Sequence, residues 1–281
     1  MMPHKLLRKM LTKRLIALVL ATTAGMAAFS LIGQKEVYVG TRVRATTPLE
    51  QIDHSGWDRL LKAYVNEHGM VNYGRWATNI ADRRSLEQYL AHLSTGKRTR
   101  TSSADAVLAF WINAYNAVTI HGILREYPTS SIRNHTPSAS GYNIWKHLQL
   151  FVDGHPYSLN RIEHEILLKM NESRVHFAIV CASVGCPRLL NESYKPNSVQ
   201  NQLDTSARKF FLHPRNFRYS DGEIQLSSIL KWFASDFGSN QSDQLKTIAR
   251  WLPTQAAQKV AVSGRLRVSY LDYDWHLNEQ H

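Results

Sequence analysis

An α+β fold is predicted: a mainly helical single domain around a small sheet with two hairpins, preceded by an N-terminal signal or anchor helix. Three observations predict it. Apolar residues recur at helical spacing in several segments. Two Asp-Gly dipeptides sit between short runs of strand-forming residues. The strands so marked are separated by helices rather than repeated in series. The 281-residue chain is 43% hydrophobic and 20% charged, which is ordinary for a folded protein and unlike a disordered, collagenous or multi-span membrane chain.

The elements follow in chain order. Lys5, Arg8, Lys9, Lys13 and Arg14 precede an uncharged run from Leu15 to Gly33, with no acidic residue among positions 1–34. This pattern reads as a secretory signal peptide or an uncleaved membrane anchor, and in either case the basic residues hold that end on the inner side of a membrane. Residues 35–53 are expected as a linker, and 54–281 as one globular domain. Ser55-Gly-Trp-Asp58 has the form of a capping box, opening a helix whose buried face is Trp57, Leu60, Leu61, Tyr64 and Val65. Leu86, Tyr89, Leu90 and Leu93 mark a second helix. Ser102-Ser-Ala-Asp105 caps a third, the longest and most apolar, which runs to about Glu126 and is stopped by Pro128. Residues 148–158 form a hairpin around Asp153-Gly154, and Asn160 opens another helix. Residues 175–182 read as a buried strand, and a helix spans about 199–212. A second hairpin turns at Asp221-Gly222, helices cover about 229–237 and 244–252, and a strand covers 266–271.

The formal charge of +12 carries no nucleic-acid signal, because the five N-terminal basic residues account for much of it and the remaining +7 is spread thinly, without a basic stripe. The histidines are scattered and no His or Cys pair stands at ligand spacing, so no metal and no cofactor is expected.

Phe110-Trp-Ile-Asn-Ala-Tyr-Asn116, Tyr157-Ser-Leu-Asn-Arg-Ile-Glu-His164, the 176–187 segment His-Phe-Ala-Ile-Val-Cys-Ala-Ser-Val-Gly-Cys-Pro and the closing Tyr270-Leu-Asp-Tyr-Asp-Trp-His-Leu-Asn278 resemble the domain-of-unknown-function 547 family over about residues 54–278. The resemblance implies a fold more than a reaction. Bacterial relatives of this kind are exported proteins of unassigned activity, plant relatives attach the domain to coiled coils, and a cysteine-centred site has the look of the family.

Read from the residues themselves, Cys181 is the candidate nucleophile at the end of the expected strand, with Ser183 supplying a nearby donor for an oxyanion. His164 is the candidate base, expected to lower the Cys181 pKa by ion pairing. His176 is set aside, because strand alternation places it on the face opposite Cys181. Glu163 falls on the apolar stripe of Leu159, Ile166 and Met170 and is expected to be buried and paired, either orienting His164 or closing the start of its helix. Asn113 and Asn116 share a face of the most apolar helix and either orient a base or substrate or satisfy buried backbone groups. A Cys181–Cys186 disulfide is the competing reading of the two cysteines.

Two functions stay open at this level. One is an exported cell-envelope enzyme, periplasmic or anchored to the inner membrane and facing outward, acting as a cysteine-dependent acyl or amide hydrolase or transferase on a small-molecule or peptide substrate. The other is a non-catalytic envelope binding or interaction module with the same motifs serving as core. The membrane is a partner through the N-terminal segment if that segment is uncleaved.

Overall fold

The most apolar segment of the sequence becomes the helix Ala104–Glu126, buried on nearly every side rather than along one stripe. Ser103 caps it by accepting the Ala106 N–H at 3.1 Å, and the chain turns away at Tyr127 ahead of Pro128. The computed structural model describes residues 36–136, 142–220, 222–263 and 266–280. Within it Val37–His281 is one compact unit, and the expected signal or anchor helix lies outside the described residues. Although the central helix is long and apolar enough to cross a membrane, its side chains are packed inside the protein.

Helices Ser55–Tyr64, Tyr73–Thr78 and Ile80–Leu93 pack beside the central helix through an aromatic group. Tyr64 and Trp76 stack with centroids 4.5 Å apart, and Trp57 and Tyr89 lie 5.8 Å apart and nearly parallel. The expected capping box at Ser55 does not form. His54 holds the cap position, and the Asp53 carboxylate accepts both the Ser55 N–H and its hydroxyl at 2.8 and 2.7 Å. Asp58 instead pairs with Lys62 at 2.6 Å and accepts the Ser193 N–H at 3.0 Å.

His54 is buried, with Nδ1 2.6 Å from the Tyr89 hydroxyl and Nε2 without a partner, and burial pushes its pKa down to about 4. Above an unfolded value near 6.5 both states are neutral. Below it the unfolded chain takes up a proton that the folded chain refuses until about pH 4, so stability falls across that window. At 1.36 kcal/mol per pKa unit this one residue accounts for roughly 3 kcal/mol. Urea unfolding of His54→Asn is therefore expected to lose distinctly less stability than the native chain between neutral pH and the lower end of the window. Parallel losses would contradict a neutral buried imidazole.

Among the described residues the strands form three small sheets rather than one. The hairpin Leu148–Val152 and His155–Ser158 turns where expected, with Asp153 and Gly154 both at positive φ (50° and 74°), the conformation that a two-residue turn between twisted strands needs. The segment expected as a linker supplies its third strand: Val37–Val39 pairs in parallel with Leu148–Leu150, and Leu49 and Ile52 enter the core. Thr47–Pro48 pairs with Gly96–Lys97. The second hairpin, Phe217–Ser220 with Glu223–Ser227, is joined in parallel by Arg267–Leu271; Asp221 of its turn lies outside the described residues. Helices Val199–Leu212, Ser228–Trp232, Gln241–Ala249 and the unanticipated Gln255–Ser263 complete this half.

Two apolar cores result. One surrounds the central helix, and the other gathers Phe210, Phe211, Ile224, Leu226, Ile248 and Trp251. The segment expected as the strand 175–182 joins them, with Val175 and Ala178 in the first core and Phe177 in the second. It is no strand: Ser173–Phe177 is a 3-10 turn, followed by irregular chain. The apolar run reports burial correctly, but no neighbouring strand is present to take its backbone groups. The Ala178 and Ile179 N–H groups both turn back to the Val175 carbonyl, at 2.9 and 3.0 Å. The Asn116 side chain serves as the missing ladder, donating to the Ala178 carbonyl and accepting the Val180 N–H, each at 3.0 Å.

Candidate functional site

Beyond Val180 the chain makes a tight loop bearing both cysteines. Ala182 sits in the left-handed region at φ 58°, and the Cys186 N–H bonds the Ser183 carbonyl at 3.0 Å. The C-terminal segment clamps this loop: the Val184 and Gly185 N–H groups donate to the His276 and Asp274 carbonyls, both at 2.8 Å, and the Asn278 N–H donates to the Ala182 carbonyl at 3.1 Å. Gly185 is required there, because a Cβ would stand 2.9 Å from the Asp274 nitrogen. The same clamp delivers Tyr273, whose hydroxyl lies 3.1 Å from both cysteine sulfurs.

The two thiols are free and in contact, Sγ to Sγ 2.7 Å, with Ser183 Oγ 2.9 Å from Cys181 Sγ and the Cys181 N–H donating to Cys186 Sγ at 2.9 Å. Their environments are unequal. The Cys181 thiol is pushed well above its ordinary range, first by its bond to Cys186 and then by burial. Burial also works against a thiolate at Cys186, but donation from Cys181, the Tyr273 hydroxyl and two backbone N–H groups outweighs it and brings Cys186 down to about 7. The opposite directions, with the Cys181 N–H and the Tyr273 hydroxyl both aimed at Cys186 Sγ, favour Cys186 as the first of the pair to ionise. The lowered Cys181 pKa expected from the sequence is therefore reversed, and among the described residues no hydrogen bond joins Cys181 to an imidazole.

Both sulfurs border a cavity of about 280 Å³ walled by Trp145, Trp232, Phe233, Tyr273 and Trp275 and also lined by Glu163, His164 and His176. Glu163 and His164 reach it from a helix that begins as α at Leu159–Arg161, capped by Ser158 rather than Asn160, and widens into a π turn at Ile162–Leu167. The π turn, in which the Leu168 N–H bonds the Glu163 carbonyl, breaks the 3.6-residue phase on which the stripe Leu159, Ile166 and Met170 was read. Glu163 is half-buried. It accepts the Tyr115 hydroxyl at 3.0 Å, and burial raises its pKa against the opposing effects of His164 and Tyr115. His164 is exposed.

His176, which strand alternation would turn away from Cys181, lines the cavity because there is no strand. Its Nε2 lies 2.8 Å from the Asp236 carboxylate and its ring packs 4.2 Å from that of Phe233. Burial lowers its pKa despite Asp236, which favours a neutral imidazole held in one orientation. Asn113 and Asn116 lie outside the cavity. Asn113 donates to the Tyr194 carbonyl at 2.8 Å and accepts the Tyr194 N–H at 2.9 Å, as Asn116 does for residues 178 and 180, so both amides position backbone. Among the described residues no group of His, Cys, Asp and Glu is placed to hold a metal ion.

Sequence reasoning thus names Cys181, His164 and Glu163 around one cavity, with Ser183 outside its lining but bonded to Cys181 Sγ, and misses Cys186, Tyr273 and the His176–Asp236 pair. Tyr273 and Cys186 stand in the motifs quoted above, which is the one signal that could have found them. Asp236 has no such mark.

Residues 99–211 match the model of a family described as "Protein of unknown function, DUF547", which bears out the resemblance over a segment holding the central helix, the first hairpin and both cysteines. Tyr273 and Asp236 lie beyond it. No curated protein and no solved structure matches the chain.

Proposed function

We propose that the protein is an exported cell-envelope enzyme that transfers or hydrolyses an acyl or amide group through the Cys186 thiolate. The observation that carries the reading is the geometry at Cys186: a sulfur met by the Cys181 N–H, the Cys181 thiol and the Tyr273 hydroxyl, donors that lower its pKa, on a residue lining an aromatic cavity that also holds a carboxyl and an oriented imidazole. Cys186 Sγ attacks the substrate carbonyl, and the Tyr273 hydroxyl, 3.1 Å from that sulfur and in the cavity lining, is the donor available to the developing oxyanion. Glu163, whose pKa burial raises, is the acid placed to supply a proton to the leaving group. Neutral His176, aligned by Asp236, then takes the proton of the incoming water or acceptor. The N-terminal basic and apolar segment supports an extracytoplasmic location.

Incubation with a panel of p-nitrophenyl esters and acyl amides, read by intact mass and peptide mapping, tests the chemistry. An acyl adduct on Cys186 is expected, lost in Cys186→Ala. Turnover that survives Cys186→Ala undiminished would overturn the proposal.

A further inference from the structure

Cys186 has two open sides. One is the aromatic cavity. The other is a separate cleft of about 610 Å³ where Arg188, Lys209 and Arg215 stand against the single carboxylate of Glu67. The cleft therefore gathers positive charge beside the loop that carries Cys186, which draws small anionic molecules toward that residue. The neighbouring Cys181 sulfur is already in contact, 2.7 Å away, within an ångström of the bonding distance of about 2.0 Å. The loop between the two is fixed by the left-handed Ala182 and by the clamp at Val184 and Gly185, so the sulfurs are held together rather than meeting by chance.

We propose that Cys181 and Cys186 form a reversible dithiol/disulfide couple that exchanges with small anionic disulfides, Cys186 attacking and Cys181 resolving. Cys186 thiolate attacks one sulfur of R–S–S–R, the S–S bond of that molecule breaks, RS⁻ leaves, and a mixed disulfide Cys186–S–S–R forms. Cys181 gives up its proton to solvent and attacks the Cys186 sulfur, the mixed Cys186–S–S–R bond breaks, and a second RS⁻ leaves. Two protein thiols are oxidised by two electrons and the disulfide is reduced to two thiols, so the step needs no further oxidant. Asymmetry of this kind, one thiol ionised and its neighbour protonated, gives the exchange its order. Closure also removes the Cys186 nucleophile, which makes acyl transfer active only in the reduced protein.

The probe is 5,5′-dithiobis(2-nitrobenzoate), an anionic disulfide, applied to the reduced full chain at neutral pH without any acyl substrate. The native chain is expected to release two equivalents of thionitrobenzoate, retain no adduct, and lose the mass of two hydrogen atoms, all reversed by dithiothreitol. Cys181→Ser is expected to release one equivalent and keep the adduct on Cys186. A native chain that retains one or two adducts without closing the bond overturns the proposal, as does a Cys186→Ser chain that reacts as fast as Cys181→Ser. The stoichiometry of the native chain decides the matter even if a variant fails to fold.

Discussion

Iodoacetamide modification of the Cys186→Ala variant at neutral pH is expected to fall by roughly tenfold or more, with loss of the rate inflection near pH 7, because an alkylation rate follows the thiolate fraction. Cys181 remains in that variant and loses the bond to Cys186 that is the largest cause of its raised pKa, but burial, the second cause, still disfavours its thiolate, so its modification belongs to higher pH. The converse variant separates the two sulfurs. Cys181→Ala keeps a reactive Cys186 but removes its Sγ–H donor, so the inflection moves upward while the Cys181 N–H and Tyr273 continue to support the thiolate. Peptide mapping of the alkylated chains checks both, and faster modification of Cys181 than of Cys186 in the native protein contradicts the assignment.

Asn116→Ala is expected to cost roughly 2–6 kcal/mol, since it strips partners from two buried backbone groups, the Ala178 carbonyl and the Val180 N–H, each worth on the order of 1–3 kcal/mol when left unpaired. That is a large part of the roughly 5–15 kcal/mol that stabilises a domain. The damage also reaches the site, because Val180 immediately precedes Cys181, and a slackened segment loosens the contact between the sulfurs. Urea unfolding followed by tryptophan fluorescence measures the first effect. A variant within experimental error of the native chain would show that the amide is not serving as the backbone's partner.

What the sequence reveals depends on whether the cause is local. The central helix is legible because its cap at Ser103 and its stop at Pro128 adjoin the apolar run they bound. The first hairpin is legible because Asp153 and Gly154 adopt the turn conformation their side chains permit. Val37–Val39 is not legible as a strand, because its only ladder is with Leu148–Leu150, more than a hundred residues later, and three residues show no period. Residues 175–182 misread for the same reason. Hydrophobicity reports that they are buried, but whether buried backbone becomes a strand depends on what meets it, and here it meets Asn116, 62 residues from Ala178.

The site divides in the same way. Cys181, Ser183, Glu163 and His164 are found because each is an unusual residue in its own segment. His176 is lost with the strand phase, and its partner Asp236 lies 60 residues away on an unrelated turn. Which sulfur carries the charge is set by donors from two distant stretches of chain, the cysteine loop at 181–183 and Tyr273, so no single motif encodes it.

The central claim is that this thiol pair ionises once and that Cys186 carries the charge. Ultraviolet thiolate absorbance, titrated in the native chain and in Cys186→Ala and Cys181→Ala, tests it most directly. The structure predicts one native inflection near pH 7, absent from Cys186→Ala and present, shifted upward, in Cys181→Ala. A native chain whose first inflection lies at or above the ordinary thiol range near 8.5, or whose low inflection survives in Cys186→Ala, contradicts it.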